Sequence, residues 1–405
     1  MGKNKLFNPF SSEFHQNPYA TYDKLREEDP IHWSFLHAWV ITRYEDVDKI
    51  LKDNRFQVDD LPMRLEGKNI YLQGGDLSTL ATTIDKWLFF QKVPDHTRLR
   101  GLVSKVFSPH AVEIMEEKIK KTVNELLDKV IDTGKIDLIK DLASPLPAIT
   151  VTQILGLPLE DYDNLIRWSY DLFFVFDQPM SLEGYQRQNE IAIETRNYLL
   201  DFMAKIENSP QYEGLISQLM KAKNEHNQLT EDEILGFCIM LLIVGQETTK
   251  SFIGNGMLAL LQQPEKFEEL KNKPHIIKEA VEELLRYDTP VQVIARIAQE
   301  DVVIKGKNIK KGDKVILCLG AANRDSEKFF QPDILNFERV NYNLPFGGGI
   351  HFCLGVFLAR LQGQIAIKIL LERLPHLQLA TEKLDWRESI TLRGLKSLPL
   401  TFLSP

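Results

Sequence analysis

The segment Leu344–Gly355, LPFGGGIHFCLG, sets one cysteine among glycines and two phenylalanines, and carries the chain's sharpest chemical signal. A zinc site draws two to four ligands at short spacing, and no second cysteine lies near Cys353. A disulfide needs a partner, whereas Cys238 and Cys318 each sit in an apolar run with the character of core. Two chemistries stay open for Cys353: a nucleophilic thiol with His351 as base, or a single axial ligand to an iron cofactor. Gly347 and Gly349 reach backbone angles closed to other residues, which lets amide N–H groups turn toward the sulfur. A helix expected from Leu354 adds its N-terminal N–H groups and dipole in favour of a thiolate. Phe346 and Phe352 are expected to cover the sulfur from water.

Other polar groups interrupt apolar surroundings. In IVGQETTKSF, Glu247, Thr248 and Thr249 follow Gly245 after the apolar run Cys238–Val244, and apolar residues resume from Phe252. An acid beside an alcohol can hold and relay protons. Glycine costs about 1 kcal/mol inside a helix, so something is expected to approach the backbone at Gly245. A threonine bonding back to the preceding turn would help open a local groove there. His96 and Arg100 are one helical turn apart and share a face. Arg296 lies in the apolar strand-like run VIARIA, where an unpaired charge is costly. Glu283 and Arg286 read as a buried structural ion pair on one helix.

These groups need a scaffold, and helical patterning supplies most of it. AVEIMEEKIKKTVNELLDKVID and PHIIKEAVEELLRY carry apolar residues at helical spacing, and HAWVITRYEDVDKIL reads as a short strand before a helix. From Leu229 to Pro264 the pattern predicts a helix of about thirty residues, roughly 45 Å long, started by a Thr230–Glu233 capping box. Its middle turns are apolar nearly all round, so it should run through the core. VQVIARIA, DVVIKG and KKGDKVILCLG read as strands. No repeat or linker breaks the 405 residues, so a single domain over 1–405 is expected, mainly α with a smaller β region.

Composition limits the setting. The chain is 43% hydrophobic and 26% charged, as in ordinary globular proteins, and its net charge of −8 argues against nucleic acid. Three cysteines make no disulfide framework, which fits a reducing cytoplasm. The start, MGKNKLFNPF, lacks the apolar stretch of a signal peptide, and the run Cys238–Val244 is too short for a membrane span. A cytoplasmic protein with no membrane span is expected.

The motifs together resemble one family. FGGGIHFCLGVFLAR is similar to the cysteine-loop signature of the cytochrome P-450 family, Phe-Gly-x-Gly-x-His/Arg-x-Cys-x-Gly, with every fixed position filled. Glu283-Leu284-Leu285-Arg286 resembles its Glu-x-x-Arg, Gly245-Gln246-Glu247-Thr248 its central-helix motif, and His96 with Arg100 its His-x-x-x-Arg. The likeness extends from near residue 17 to the end. It implies the P-450 fold, with the long central helix over a haem b whose axial ligand is the Cys353 thiolate. Phe346 and Gly347 then belong to the cofactor loop, and His96, Arg100, Arg296 and His351 hold the propionates. Arg339 joins Glu283 and Arg286 as scaffold of the cysteine loop. Thr248 becomes a hydrogen-bond donor to oxygen and Glu247 the proton supplier, which speaks against a peroxide-driven decarboxylase. Val244 departs from the family's usual alanine or glycine and is expected to narrow the pocket.

The resemblance implies a monooxygenase that inserts one atom of O2 into an apolar organic substrate by hydroxylation or epoxidation. Phe89, Phe90, Phe173, Phe174, Phe176, Leu241, Val244, Val291, Val293 and Leu395 are the pocket candidates. They suit a fatty acid, terpenoid, steroid-like ring system or macrolactone. With no flavin or iron–sulfur module in the chain, electrons come from NAD(P)H through a separate ferredoxin or flavodoxin and its reductase. Lys92, Arg98, Lys105 and Arg360 are its candidate docking charges. The alternatives are a peroxide-dependent oxygenase or coupling enzyme of the same fold, and a non-catalytic haem sensor or carrier.

Overall fold

Thr230 and Glu233 close the expected capping box: the Thr230 N–H donates to Glu233 Oε2 at 2.8 Å and the Glu233 N–H to Thr230 Oγ1 at 3.2 Å. From that cap a helix runs unbroken over Glu231–Gln262, 32 residues, and ends before Pro264. Among the described helices it alone is long and apolar enough to cross a membrane, but 78% of its most apolar stretch is buried inside the protein. It is a core helix. The computed structural model describes residues 6–68, 76–177, 180–207, 212–226, 229–340 and 343–403.

The chain divides into two units, and the division falls inside this helix, between Glu247 and Thr248. One unit comprises Asp60–Ala111 and Ser144–Glu247. It is helical, built from Leu61–Glu66, Ser78–Asp85, Asp95–Val103, Pro145–Leu155, Tyr162–Phe173, Leu182–Glu207, Leu215–His226 and the first half of the long helix.

The other unit comprises Met1–Asp59, Val112–Ala143 and Thr248–Pro405 and contains every described strand. Its main sheet has five strands in the order Ile31–Ser34, Ala38–Ile41, Lys314–Cys318, Val293–Ala298, Phe56–Val58. Only the Ala38–Ile41 and Lys314–Cys318 pair is parallel. Alternation sends the two faces of Val293–Ala298 to different cores. Val293 packs with Phe7, Phe14, Tyr22 and Val40, whereas Ile294 and Ala298 pack with Val47, Leu51, Phe56 and Leu317. Helix Ile277–Tyr287 buries Val281, Leu284 and Leu285 together with Glu283 and Arg286. Helix Val356–Arg373 starts two residues later than expected, because Leu354 and Gly355 form a turn after Cys353.

Candidate active site

Cys353 is the one half-buried cysteine of three. The loop before it is held by its own backbone. Gly347 N–H donates to Leu344 O at 3.1 Å, Phe352 N–H to Gly349 O at 3.2 Å, and Cys353 N–H to Phe346 O at 3.0 Å. Gly347 and Gly349 have φ of 69° and 67°, the left-handed region that the loop requires. At Gly349 a Cβ would also strike the carbonyl oxygen of Leu51. The N–H groups of Gly347, Phe352 and Cys353 bond carbonyls of the turn, and Phe352 is 38% exposed. Phe346 is half-buried and meets Phe352 edge-on at 6.4 Å, with the Arg360 guanidinium 5.0 Å from its ring.

Glu283, Arg286 and Arg339 interlock behind this loop. Arg286 forks onto Glu283 at 2.8 and 2.9 Å, Arg339 Nε reaches Glu283 Oε1 at 3.1 Å, and the Asn336 N–H donates to the same oxygen at 3.0 Å. Glu283 and Arg286 are fully buried, and such a pair is tolerated because further hydrogen bonds engage both carboxylate oxygens and every guanidinium nitrogen. Arg286 also donates to Asn323 O and Pro332 O, each at 2.8 Å. Asn323 went unrecognised in the sequence. The polar run NRD after the apolar ILCLGAA was the available signal. Nearby, Asn343 donates to Glu282 O at 2.9 Å, and Arg360 pairs with the Glu282 carboxylate at 2.8 Å.

Arg296 sits on the sheet face of Ile294 and Ala298, 8% exposed. Its side chain donates to Ala295 O at 2.9 Å, and no carboxylate pairs with it among the described residues. Burial pushes its pKa down to about 10. A cation kept in such a place suits an anionic partner. His351 closes a short 3-10 turn two residues before Cys353 and is half-buried. In the helical unit, His96 is buried on helix Asp95–Val103 with half-buried Arg100 one turn on. Burial lowers the His96 pKa, and the Arg100 charge lowers it further. Cys353, a half-buried thiol in a loop held by its own turns, and Arg296, a buried cation that no carboxylate pairs with among the described residues, have the donor chemistry that fits an iron cofactor with acidic arms.

On the long helix Glu247 is buried, while Val244, Gly245 and Thr248 are half-buried. The helix stays α-helical across them, so the local groove expected at this point is not an interruption of the helix. Gly245 also has a plainer explanation than expected. A Cβ there would lie 2.8 Å from Cγ2 of Val151 on helix Pro145–Leu155, and 3.5 Å from Leu241 Cδ1. The missing side chain makes room for another helix.

The pocket candidates separate. Phe89, Phe90 and Phe173 surround Phe176 at ring distances of 5.9, 6.4 and 5.3 Å, with Trp87 joining at 5.6 Å. Phe174 instead meets Tyr170 at 5.4 Å. Leu241 is buried. Val291 bridges to Leu392, and buried Leu395 pairs with Trp386. Val293 is corrected: strand alternation turns it away from the face of Arg296 into the core around Phe7 and Tyr22. The docking charges are corrected too. Lys92, Lys105 and Arg98 are exposed, but Arg98 is engaged by Asp95 at 3.0 Å and by Glu233, and half-buried Arg360 by Glu282.

Comparison with known proteins agrees over nearly the whole chain. The family model described as Cytochrome P450 matches residues 12–393. The chain is 42% identical to the biotin biosynthesis cytochrome P450 of Bacillus subtilis, covering 97% of this chain and 98% of the relative. It is 38% identical to the polyketide biosynthesis cytochrome P450 PksS of the same organism, covering 98% of each. Among solved structures it superposes on P450BioI in complex with a hexadec-9Z-enoic acid ligated acyl carrier protein with a TM-score of 0.91. That match has 40% identity and covers 97% of this chain and 100% of the other.

Proposed function

The chain belongs to the cytochrome P450 family as a haem-thiolate monooxygenase whose cofactor is haem b, and from that premise we propose which of its residues serve the reaction. Cys353 supplies the axial thiolate. The carrying observation is that it is the one half-buried thiol, set in a loop whose two left-handed glycines and buried Glu283–Arg286–Arg339 scaffold hold it rigidly. Arg296, His96, Arg100 and His351 hold the propionates, with Phe346 and Gly347 against the cofactor, and residues 1–405 act as one haem domain. A haem thiolate activates dioxygen because the sulfur pushes electron density toward the iron and favours O–O cleavage.

The chain's own part is to supply protons and exclude water. Thr248 donates a hydrogen bond from Oγ1 toward the oxygen substrate, and the Glu247 carboxyl replenishes that proton. In the helical unit Phe89, Phe90, Phe173, Phe174, Phe176, Leu241 and Val244 are the apolar side chains assigned to the substrate, and in the strand-bearing unit Val291 and Leu395. Family membership implies an apolar substrate, O2 and a redox-partner system. Here the substrate is a long-chain acyl group, a reading supported by the hexadec-9Z-enoic acid in the P450BioI complex. The electron donor is a ferredoxin or flavodoxin with an NAD(P)H reductase, and the setting is cytoplasmic.

The test is spectroscopic. Reduced protein under carbon monoxide should show the long-wavelength band of thiolate-ligated haem, and Cys353→Ser should lose it. Titration with hexadec-9-enoic acid, free and on acyl carrier protein, should displace the iron's water and shift the Soret band. A histidine-type carbonyl spectrum in folded protein would overturn the ligand assignment; no Soret response to either acyl form would overturn the substrate.

A further inference from the structure

Asn323 lies outside every motif that marks the haem site, yet both ends of its side-chain amide and its carbonyl are engaged at one crossing. It is fully buried. Its carbonyl oxygen accepts from Arg286 Nη1 at 2.8 Å. Its side-chain Nδ2 donates to Thr289 Oγ1 at 2.7 Å, and that hydroxyl donates in turn to Leu285 O at 2.9 Å. Its Oδ1 accepts the backbone N–H of Leu344 at 2.7 Å. Leu344 is the first residue of the cysteine loop.

The connection continues through the backbone. Leu344 O accepts the Gly347 N–H, and Phe346 O accepts the Cys353 N–H. A displacement of Leu344 is therefore passed to the sulfur-bearing residue through two short turns. Among the described residues no hydrogen bond or ion pair of Glu283 or Arg286 reaches this loop directly, and Asn323 joins them to it. The amide suits the task because it offers an acceptor and a donor at opposite ends of one rigid plane. Thr289 fixes which end faces Leu344.

We infer that Asn323 is a positioning residue for the haem thiolate: it transmits the rigidity of the Glu283–Arg286 pair to the cysteine loop and so holds Cys353 in ligating geometry. The inference rests on Cys353 being the axial ligand. Outer hydrogen bonds of this kind orient a metal ligand and tune the metal, so the expected failure is in ligation first.

Three holoenzyme variants test it. Asn323→Leu keeps the volume but leaves the Leu344 N–H without its acceptor. Asn323→Asp keeps that acceptor, and the Thr289 hydroxyl can rotate to donate to it. Thr289→Val removes only the group that orients the amide. Haem content, the reduced carbonyl spectrum, its decay to the short-wavelength form and the haem reduction potential are measured for each. Asn323→Leu should decay about tenfold faster than wild type, as expected for one orphaned buried donor, with a shifted potential. Thr289→Val should decay a few-fold faster, and Asn323→Asp should fall between wild type and Asn323→Leu, because it keeps the acceptor but buries a carboxylate. If Asn323→Leu cannot be purified with haem, Thr289→Val decides. Thr289→Val indistinguishable from wild type, or Asn323→Leu decaying no faster than wild type, would overturn the role. Wild-type protein lacking the thiolate band would instead overturn the Cys353 assignment beneath it.

Discussion

Arg296→Met should make the haem-free protein more stable while making the holoenzyme lose haem faster. Burial alone holds the Arg296 pKa at about 10, well under its ordinary value. At about 1.4 kcal/mol per tenfold change in proton affinity, keeping that charge inside costs roughly 3 kcal/mol. Methionine keeps the length and apolar packing, and gives up the charge-assisted hydrogen bond to Ala295 O, about 2 kcal/mol. The haem-free variant should thus gain about 1 kcal/mol in denaturant unfolding near neutral pH. The folded-state pKa lies below the unfolded one. The penalty is therefore fully present below pH about 10 and fades as pH rises through that value, so the gap should narrow in alkali. In the holoenzyme the variant lacks a charge-assisted contact of about 1.5–3 kcal/mol, so transfer of haem to an acceptor globin should speed up at least tenfold. Unchanged haem transfer with unchanged or reduced haem-free stability would refute the idea that this charge is kept for an anionic partner.

Thr248→Val preserves shape but deletes the hydroxyl, so NAD(P)H consumption should continue while product falls and hydrogen peroxide rises; unchanged product per NAD(P)H would exclude the proton role. Glu283→Ala strips the acceptor from Arg286, Arg339 and the Asn336 N–H, and should cost about 3–5 kcal/mol, measured as loss of soluble haem-loaded protein. Gly245→Ala should lower the thermal midpoint through the 2.8 Å approach to Val151, and adding Val151→Ala should restore most of it. A double variant as unstable as the single one would mean that the clash lies elsewhere.

Legibility followed the range of the contact. The Thr230–Glu233 box and the Glu283–Arg286 fork each close within one helical turn, so residue identity at fixed spacing was enough to place them. The glycine angles at Gly347 and Gly349 were also readable, since each is a property of one residue. Val151 against Gly245, Glu233 against Arg98 and Asn323 against Leu344 join distant segments, and no local pattern announces them. Arg98 is the exposed charge it looked like, but its ion pair with Glu233 could not be seen in the sequence. Val293 is a different kind of miss. Counting by twos along VIARIA already puts it on the opposite face from Arg296, and its apolar character alone suggested a pocket.

The cysteine inventory has a practical consequence. Cys238 and Cys318 are buried, and burial pushes the Cys238 thiol up to about 12 and the Cys318 thiol higher still. Neither should form thiolate or meet a reagent while the chain stays folded. Cys353 alone is open to alkylation, and only when no iron occupies its sulfur. A maleimide counted by mass spectrometry would then report cofactor loading molecule by molecule: zero labels for holoenzyme, one for folded apoprotein, three for unfolded chain. The protein carries its own occupancy gauge, readable without any substrate or electron donor.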